Sequence, residues 1–314
     1  MGFVHGDMIW YEPVSGKYAR LNKNSGYGPA ITCVKWLPDS DTLFMAGTAD
    51  GAVMIMDRTK EDFYVPGIAH ANRKVTRMDH FEVARQLKPR SNPVAYWKLS
   101  NRAITSLAFA PDMQRVAATC EDGGLRVIDY MNELLEDVYL SYFGGLTCAA
   151  WSPDARYIVA GGKDDQLTVF GYYEQMAVAR CTGHLSWVTD VQFDPTVRNA
   201  YRFMSVGEDA QLLVWDFSLP ALHRPRLHRT PSHQAGHVRH SSDLDYLHGP
   251  PGVDDAPSET VHGRVSRDGC AVLQPLVSER IHEASLCGVQ FSQDLLVTAC
   301  RQGVVKVWRR PVEN

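Results

Sequence analysis

His184, Ser205 and Asp209 lie in one short stretch of a 314-residue chain. An imidazole, a serine hydroxyl and a carboxylate are the parts of a nucleophilic acyl-transfer site. That chemistry on an α/β-hydrolase needs the serine on a G-x-S-x-G elbow between strand and helix. Ser205 sits instead in "FMSVGED", which has no glycine two residues before it and no helical pattern after it. A second candidate is "GGKDD", residues 161–165, with the glycines, lysine and paired carboxylates of a phosphate loop with a metal-binding pair. A phosphate loop, however, continues Gly-Lys-Ser/Thr into a helix, and here apolar runs of strand character stand on both sides. The third candidate is histidine: seven of the twelve, at 223, 228, 233, 237, 240, 248 and 262, fall between 218 and 268. A structural metal site needs such ligands on a frame that fixes their geometry, and the Pro, Gly, Ser and charged residues of this segment have the composition of a disordered loop. Neither a metal nor a cofactor is expected.

The elements that carry these residues repeat. "ITCVKWLPDSDTLFMAGTADGAVMIMD" (31–57), "ITSLAFAPDMQRVAATCEDGGLRVID" (104–129), "LTCAAWSPDARYIVAGGKDDQLTVF" (146–170), "VTDVQFDPTVRNAYRFMSVGEDAQLLVWD" (188–216) and "LCGVQFSQDLLVTACRQGVVKVW" (286–308) share one pattern. Each reads as strand, turn, strand, tight turn, strand, with apolar runs bounded by Pro-Asp or Asp-Gly. The anchor aromatics are Trp36, Phe109, Trp151, Phe193 and Phe291. Trp151 lies 42 residues after Phe109, and Phe193 another 42 further on, which is the period of a WD repeat. The steps of 73 and 98 residues elsewhere mark insertions. Strands this apolar are buried on both faces, so the sheets must stack side by side around an axis. The expected fold is all-β, a WD-repeat β-propeller with repeats near 31–100, 104–140, 146–182, 188–277 and 286–309, preceded by a half blade over 1–22. In that frame "GGKDD" is the tight turn that other copies fill with "ADG", "EDG", "EDA" or "RQG".

Two insertions interrupt the rhythm. Residues 58–93 include a stretch, 71–90, with six basic residues against two acidic ones. It reads as a solvated loop with a short helix, or as an electrostatic strip for an acidic partner or RNA running from Arg73 to Arg90. Residues 218–268 read as disordered, and Thr230 and Ser258 within them are candidate phosphorylation sites. The net charge of −4 gives no general drive toward nucleic acid or anionic membrane. No apolar run approaches the roughly 20 residues of a membrane span, and the first ten residues lack a signal-peptide pattern. Gly2 is followed by Gly6 where a myristoylation motif wants Ser or Thr. The seven cysteines, at 33, 120, 148, 181, 270, 287 and 300, form no close pair and read as free thiols in a reducing compartment. A cytoplasmic or nuclear location is the expectation.

In WD repeats a histidine, a serine, an aspartate and a tryptophan bind one another as a structural tetrad, and His184, Ser205, Asp209 and Trp215 of the fourth copy are the matching residues. The other copies carry Ala46, Ala118, Ala160 and Thr298 at the serine position and Met56, Ile128, Phe170 and Trp308 at the tryptophan position, so they are expected to rely on apolar packing. On the narrower face, where the loops before the first strands gather, Tyr142, Phe143 and Trp187, with Arg180 nearby, are the candidate partner-binding residues. Buried aromatics usually dominate such interfaces.

"GDMIWYEPVSGKYARLNKN", "ITCVKWLPDSDTLFMAGTADG", "SYFGGLTCAAWSPDARYIVAGGKDDQLTVF", "GHLSWVTDVQFDP", "YRFMSVGEDAQLLVWDFS" with "ALHRPR", and "LVTACRQGVVKVW" together resemble the fungal carbon-catabolite-repression WD-repeat protein group called creC. They are also similar to related WD-repeat activators of ubiquitin-specific proteases. The resemblance implies a seven-bladed, non-catalytic scaffold that partners a deubiquitinating cysteine protease and, in fungi, acts in carbon catabolite repression. Against that pattern, five repeats plus a half blade imply an N-terminally shortened member whose ring does not close.

Overall fold

Val, Ile, Thr and aromatic side chains fit a pleated surface, and Pro-Asp and Asp-Gly steps end the run. The repeats accordingly become strands. The computed structural model describes residues 2, 4, 6–21, 28–62, 75–85, 90–197, 201–217, 260–266, 269–292 and 295–309. Six of the seven histidines between 218 and 268 lie outside the described residues, as do Thr230, Ser258, Arg73, Lys74 and Lys88.

A hairpin of β1 (Met8–Tyr11) and β2 (Tyr18–Leu21) precedes the first blade. That blade is built from β3 (Ile31–Trp36), β4 (Leu43–Thr48) and β5 (Ala52–Asp57). Its insertion supplies β6 (Glu61–Asp62), β7 (Glu82–Arg85) and β8 (Ser91–Asn92), and β9 (Ala95–Lys98) follows. β9 and then β7 extend the sheet outside β5, while β6 pairs with β8. The second blade is β10 (Ile104–Phe109), β11 (Arg115–Cys120), β12 (Gly124–Asp129) and β13 (Leu134–Leu140). The third is β14 (Leu146–Trp151), β15 (Tyr157–Gly162), β16 (Gln166–Gly171) and β17 (Met176–Thr182). The fourth begins with β18 (Val188–Phe193), β19 (Tyr201–Gly207) and β20 (Gln211–Phe217). After the long insertion come β21 (Val261–His262), β22 (Ala271–Leu273) and β23 (Val277–Arg280). The fifth blade is β24 (Leu286–Phe291), β25 (Leu295–Cys300) and β26 (Val305–Arg309). Among the described residues there is no α-helix.

The chain is therefore all-β, a five-bladed propeller arrangement of antiparallel sheets. Side chains alternate between the two faces of each sheet, and successive cores use alternate residues. Met45, Val53, Ile55 and Trp97 of the first blade meet Ile104, Leu107, Val116 and Ala118 of the second. Phe44, Ala46, Met54, Met56 and Tyr96 turn the other way, onto Met8 and Leu21 of the hairpin. The same exchange links the second blade to the third, the third to the fourth and the fourth to the fifth. Both faces of a blade being buried is why its strands are continuous apolar runs.

A polar stitch accompanies each apolar seam. The second residue of an inner strand donates its hydroxyl to the carbonyl of the first residue of the next inner strand. Thr32 reaches Ile104, Thr105 reaches Leu146 at 2.9 Å, Thr147 reaches Val188 at 2.6 Å and Thr189 reaches Leu286 at 2.9 Å. In the fifth blade Cys287 stands at this position, exposed, with its Sγ turned to Ala299 of its own blade.

Three features differ from the sequence reading. Residues 82–85 form the edge strand β7 rather than part of a loop or helix, because Phe81 packs edge-on to Trp97 and β7 bonds along β9. Residues 260–266, read as the end of a disordered segment, lie along the ring instead. β21 pairs in parallel with β13, and β22 pairs in parallel with β17. The outer edges of the second and third blades offer unpaired backbone groups, and satisfying them orders this short strap. The strap then returns to give the fourth blade its outer strand, β23, which runs to Arg280 rather than ending at 277.

Candidate functional site

The turn between the second and third strands of every blade is clamped to the loop before the first strand. The amides of Ala49, Glu121, Lys163, Glu208 and Arg301 donate to the carbonyls of Ala30, Ala103, Gly145, Trp187 and Ser285 at 2.8–2.9 Å. Gly51, Gly123, Asp165, Ala210 and Gly303 take the left-handed conformation at one shared position in these turns. "GGKDD" is one of them: β15, a tight turn, then β16. Lys163 is spent on Glu121 at 2.7 Å.

Behind the fourth turn the structure brings together His184, Ser205, Asp209 and Trp215. Trp215 Nε1–H donates to Ser205 Oγ at 2.8 Å, and Ser205 Oγ lies 2.8 Å from His184 Nε2. His184 Nδ1 lies 2.9 Å from Asp209 Oδ2, which also accepts the Leu185 amide at 2.9 Å. With the proton of the ring on Nδ1, each group donates to the next, from indole to hydroxyl to imidazole to carboxylate. Burial alone would raise the Asp209 pKa, but the His184 hydrogen bond and the Leu185 amide bring it below the usual carboxylate value. Ser205 is 0% exposed, so its oxygen meets neither solvent nor substrate.

The first, second and fifth blades are pinned too, which corrects for these three the expectation that they rely on apolar packing. In the second, Asp122 accepts from Ser100 at 2.7 Å and from the buried Arg126 at 2.7 Å. In the first, Asp50 takes the Thr48 hydroxyl at 2.6 Å and the Tyr96 hydroxyl at 3.3 Å, with Lys98 at 3.7 Å. In the fifth, Thr298 Oγ1 lies 3.0 Å from His282 Nε2 and accepts Trp308 Nε1–H at 3.0 Å. Burial, and then Lys306, push His282 below its ordinary pKa. The aspartates at 50 and 122 fall at the tetrad position and signal these pins. Their partners are illegible because Arg126 stands two residues before the tryptophan position of its strand, and Tyr96 and Lys98 lie on an outer strand where the tetrad uses none.

Above this frame is an exposed apolar patch. Phe143 is 71% exposed, Leu185 77%, Trp187 44% and Tyr142 42%. The loop "SYFGG" throws Phe143 outward: Ser141 Oγ closes it on the Gly144 carbonyl at 2.8 Å, and Gly144 is left-handed. A Cβ at Gly145 would meet the Glu121 carbonyl at 2.9 Å, so the close approach needs glycine. Lys163 Nζ lies 4.9 Å from the centre of the Trp187 ring, and the Arg180 guanidinium 4.0 Å from that of Tyr142. Arg180 itself is buried. Leu185, which the sequence reading did not single out, and Lys163, expected there only as part of the tight turn, belong to this surface as well. The signal was their position, next to the tetrad histidine and opening the turn of the neighbouring blade.

Of the basic strip, two of the three described cations are paired. Arg77 pairs with Asp79 at 2.7 Å, and Arg85 pairs with Glu133. The segment is tied to the second blade by Asn101, which exchanges two hydrogen bonds with Val75, and by Arg126, which donates to the Met78 carbonyl at 3.2 Å. Among the described residues no three His, Cys, Asp or Glu side chains converge on a metal position, and no helix is long and apolar enough to cross a membrane.

The sequence profile described as WD domain, G-beta repeat matches residues 20–57, 92–129, 139–170 and 176–216. Each match runs from the outer strand of one blade through the third strand of the next. The UBP9-binding protein bun62 of Schizosaccharomyces pombe is 33% identical over 339 aligned residues, which span 99% of this chain and 61% of that protein. The chain thus spans about three fifths of the length of the curated relative it matches. A chain in the crystal structure of the mitotic checkpoint complex superposes with a TM-score of 0.60 at 15% identity, over 98% of this chain and 72% of that one. That likeness concerns the fold alone.

Proposed function

The chain is a β-propeller of WD40 repeats, and on that premise we propose that it is a non-catalytic scaffold that binds and activates a ubiquitin-specific protease. The docking surface is the patch of Tyr142, Phe143, Leu185 and Trp187, with Lys163 and Arg180 supporting the rings. One observation carries the reading: large apolar side chains are held out in solvent beside a tetrad whose polar groups are buried and satisfied. Such rigid, pre-ordered anchors bind without the cost of ordering them first. The serine that could attack a substrate is inside that tetrad. The likeness to a UBP9-binding protein supports a protease of the UBP9 kind as the partner. The creC-like motifs support a role in carbon catabolite repression, in the cytoplasm or nucleus.

The test uses a purified protease of that kind and a fluorogenic ubiquitin substrate. The wild-type chain should raise the protease's kcat/KM in a saturable way. Phe143→Ala and Trp187→Ala should each shift the half-maximal concentration by about 30-fold, the size of a loss of about 2 kcal/mol at a hot spot. Undiminished activation by the double variant would remove the patch from the proposal.

A further inference from the structure

Arg180 connects two parts of the molecule that the repeat pattern does not. It projects from β17, the outer strand of the third blade, and is only 4% exposed. Its Nη2–H donates to the Val265 carbonyl, in the strap, at 2.6 Å. On another side its guanidinium lies against the Tyr142 ring at 4.0 Å. Its Nε is buried without a hydrogen-bond partner. A buried guanidinium with so few acceptors is poorly compensated for lost hydration, so the one from the strap matters out of proportion to its number.

The strap is anchored unevenly: Ala271 and Leu273 are buried in the core between the third and fourth blades, whereas none of residues 260–266 is buried. β21 and β22 contribute two and three residues. Residues 260–266 are further held by the Val138 amide on the Thr260 carbonyl at 2.8 Å, by His262 Nε2 on Asp137 Oδ1 at 2.5 Å, by the His262 ring 4.8 Å from Tyr139, and by Val265 against the core between the second and third blades. Segments with few buried apolar contacts open locally at a fraction of the global stability. When the strap lifts, Arg180 loses the Val265 carbonyl, and water becomes its best alternative. The cation then leaves the Tyr142 ring.

We propose that Arg180 is a positioning residue that couples the seating of residues 260–266 of the strap to the conformation of Tyr142 and so to the docking face. The strap seated is the docking-competent state, and its release weakens partner binding. The effect on binding rests on the docking function proposed above, whereas the coupling of strap to loop does not.

Two readouts keep these apart. Hydrogen exchange on the free chain should show faster exchange at 260–266 and at 141–145 together in Arg180→Ala. His262→Ala, which loosens the strap where it pairs with β13, should also speed exchange at 141–145, and should add nothing there once Arg180 is alanine. Titration with the purified protease should show about a 10-fold weaker affinity for Arg180→Ala, none of it for Tyr142→Phe, which keeps the ring. Arg180→Ala/Tyr142→Ala should be no weaker than Tyr142→Ala alone, since a shared route gives non-additive losses. Exchange at 141–145 that ignores His262→Ala, or additive losses in the double variant, would overturn the coupling. Coupled exchange with no effect of any patch variant on protease binding would uphold the coupling and reject the docking function.

Discussion

Ser205 Oγ takes the Trp215 N–H on one side and faces His184 on the other, both at 2.8 Å. A hydroxyl so placed holds the blade together. Ser205→Ala leaves an indole N–H and an imidazole nitrogen buried without a partner, a loss of about 1–3 kcal/mol, and urea denaturation should register it. A fluorophosphonate probe should leave Ser205 unlabelled in the folded protein. Asp209 supplies a pH signature. Its carboxyl titrates below the usual value in the fold, so the stability it contributes is fully present above the unfolded value of about 3.9 and is lost as pH falls through the folded one. Wild type should therefore lose its stability advantage over Asp209→Asn as the pH drops below about 4.

Strands were legible where two signals coincide, an apolar run and a turn dipeptide, as in "YIVAGG" before "KDD". The strap was not, because two and three residues among Gly, Arg, Ser and Asp carry no periodicity, and parallel pairing to a distant edge has no local signal. β7 was missed for a similar reason: its place depends on Phe81 meeting Trp97. The stitch between inner strands was in view as the recurring "IT", "LT" and "VT" steps, but its onward acceptor appears only once the blades are side by side. Thr147→Val keeps the shape and deletes the hydrogen bond to Val188, and should lower stability by about 0.5–1.5 kcal/mol in chemical denaturation. Cys287 has no onward blade among the described residues, so Cys287→Val should stay within about 0.5 kcal/mol of wild type.

At the scale of the molecule, the hairpin and the five sheets pack in chain order, each against the next. β26 is exposed along its length, and Val34 and Trp36 of β3 are exposed at the other end. A cavity of about 720 Å³ opens between the hairpin and the first blade, lined by Trp10, Tyr11, Trp36 and Phe44. Of the docking face, the sequence made Tyr142, Phe143 and Trp187 legible as rim aromatics; whether each packed inward or faced solvent depended on loop geometry at Gly144 and Gly145. The most direct test of the account is photo-crosslinking to a purified ubiquitin-specific protease of the UBP9 kind from a benzophenone side chain at position 143, compared with one at Tyr173. Tyr173 is just as exposed but lies in the turn after β16, at the opposite rim. The account predicts a crosslinked complex from position 143 and none from 173. Crosslinking from 173 with none from 143 would contradict it.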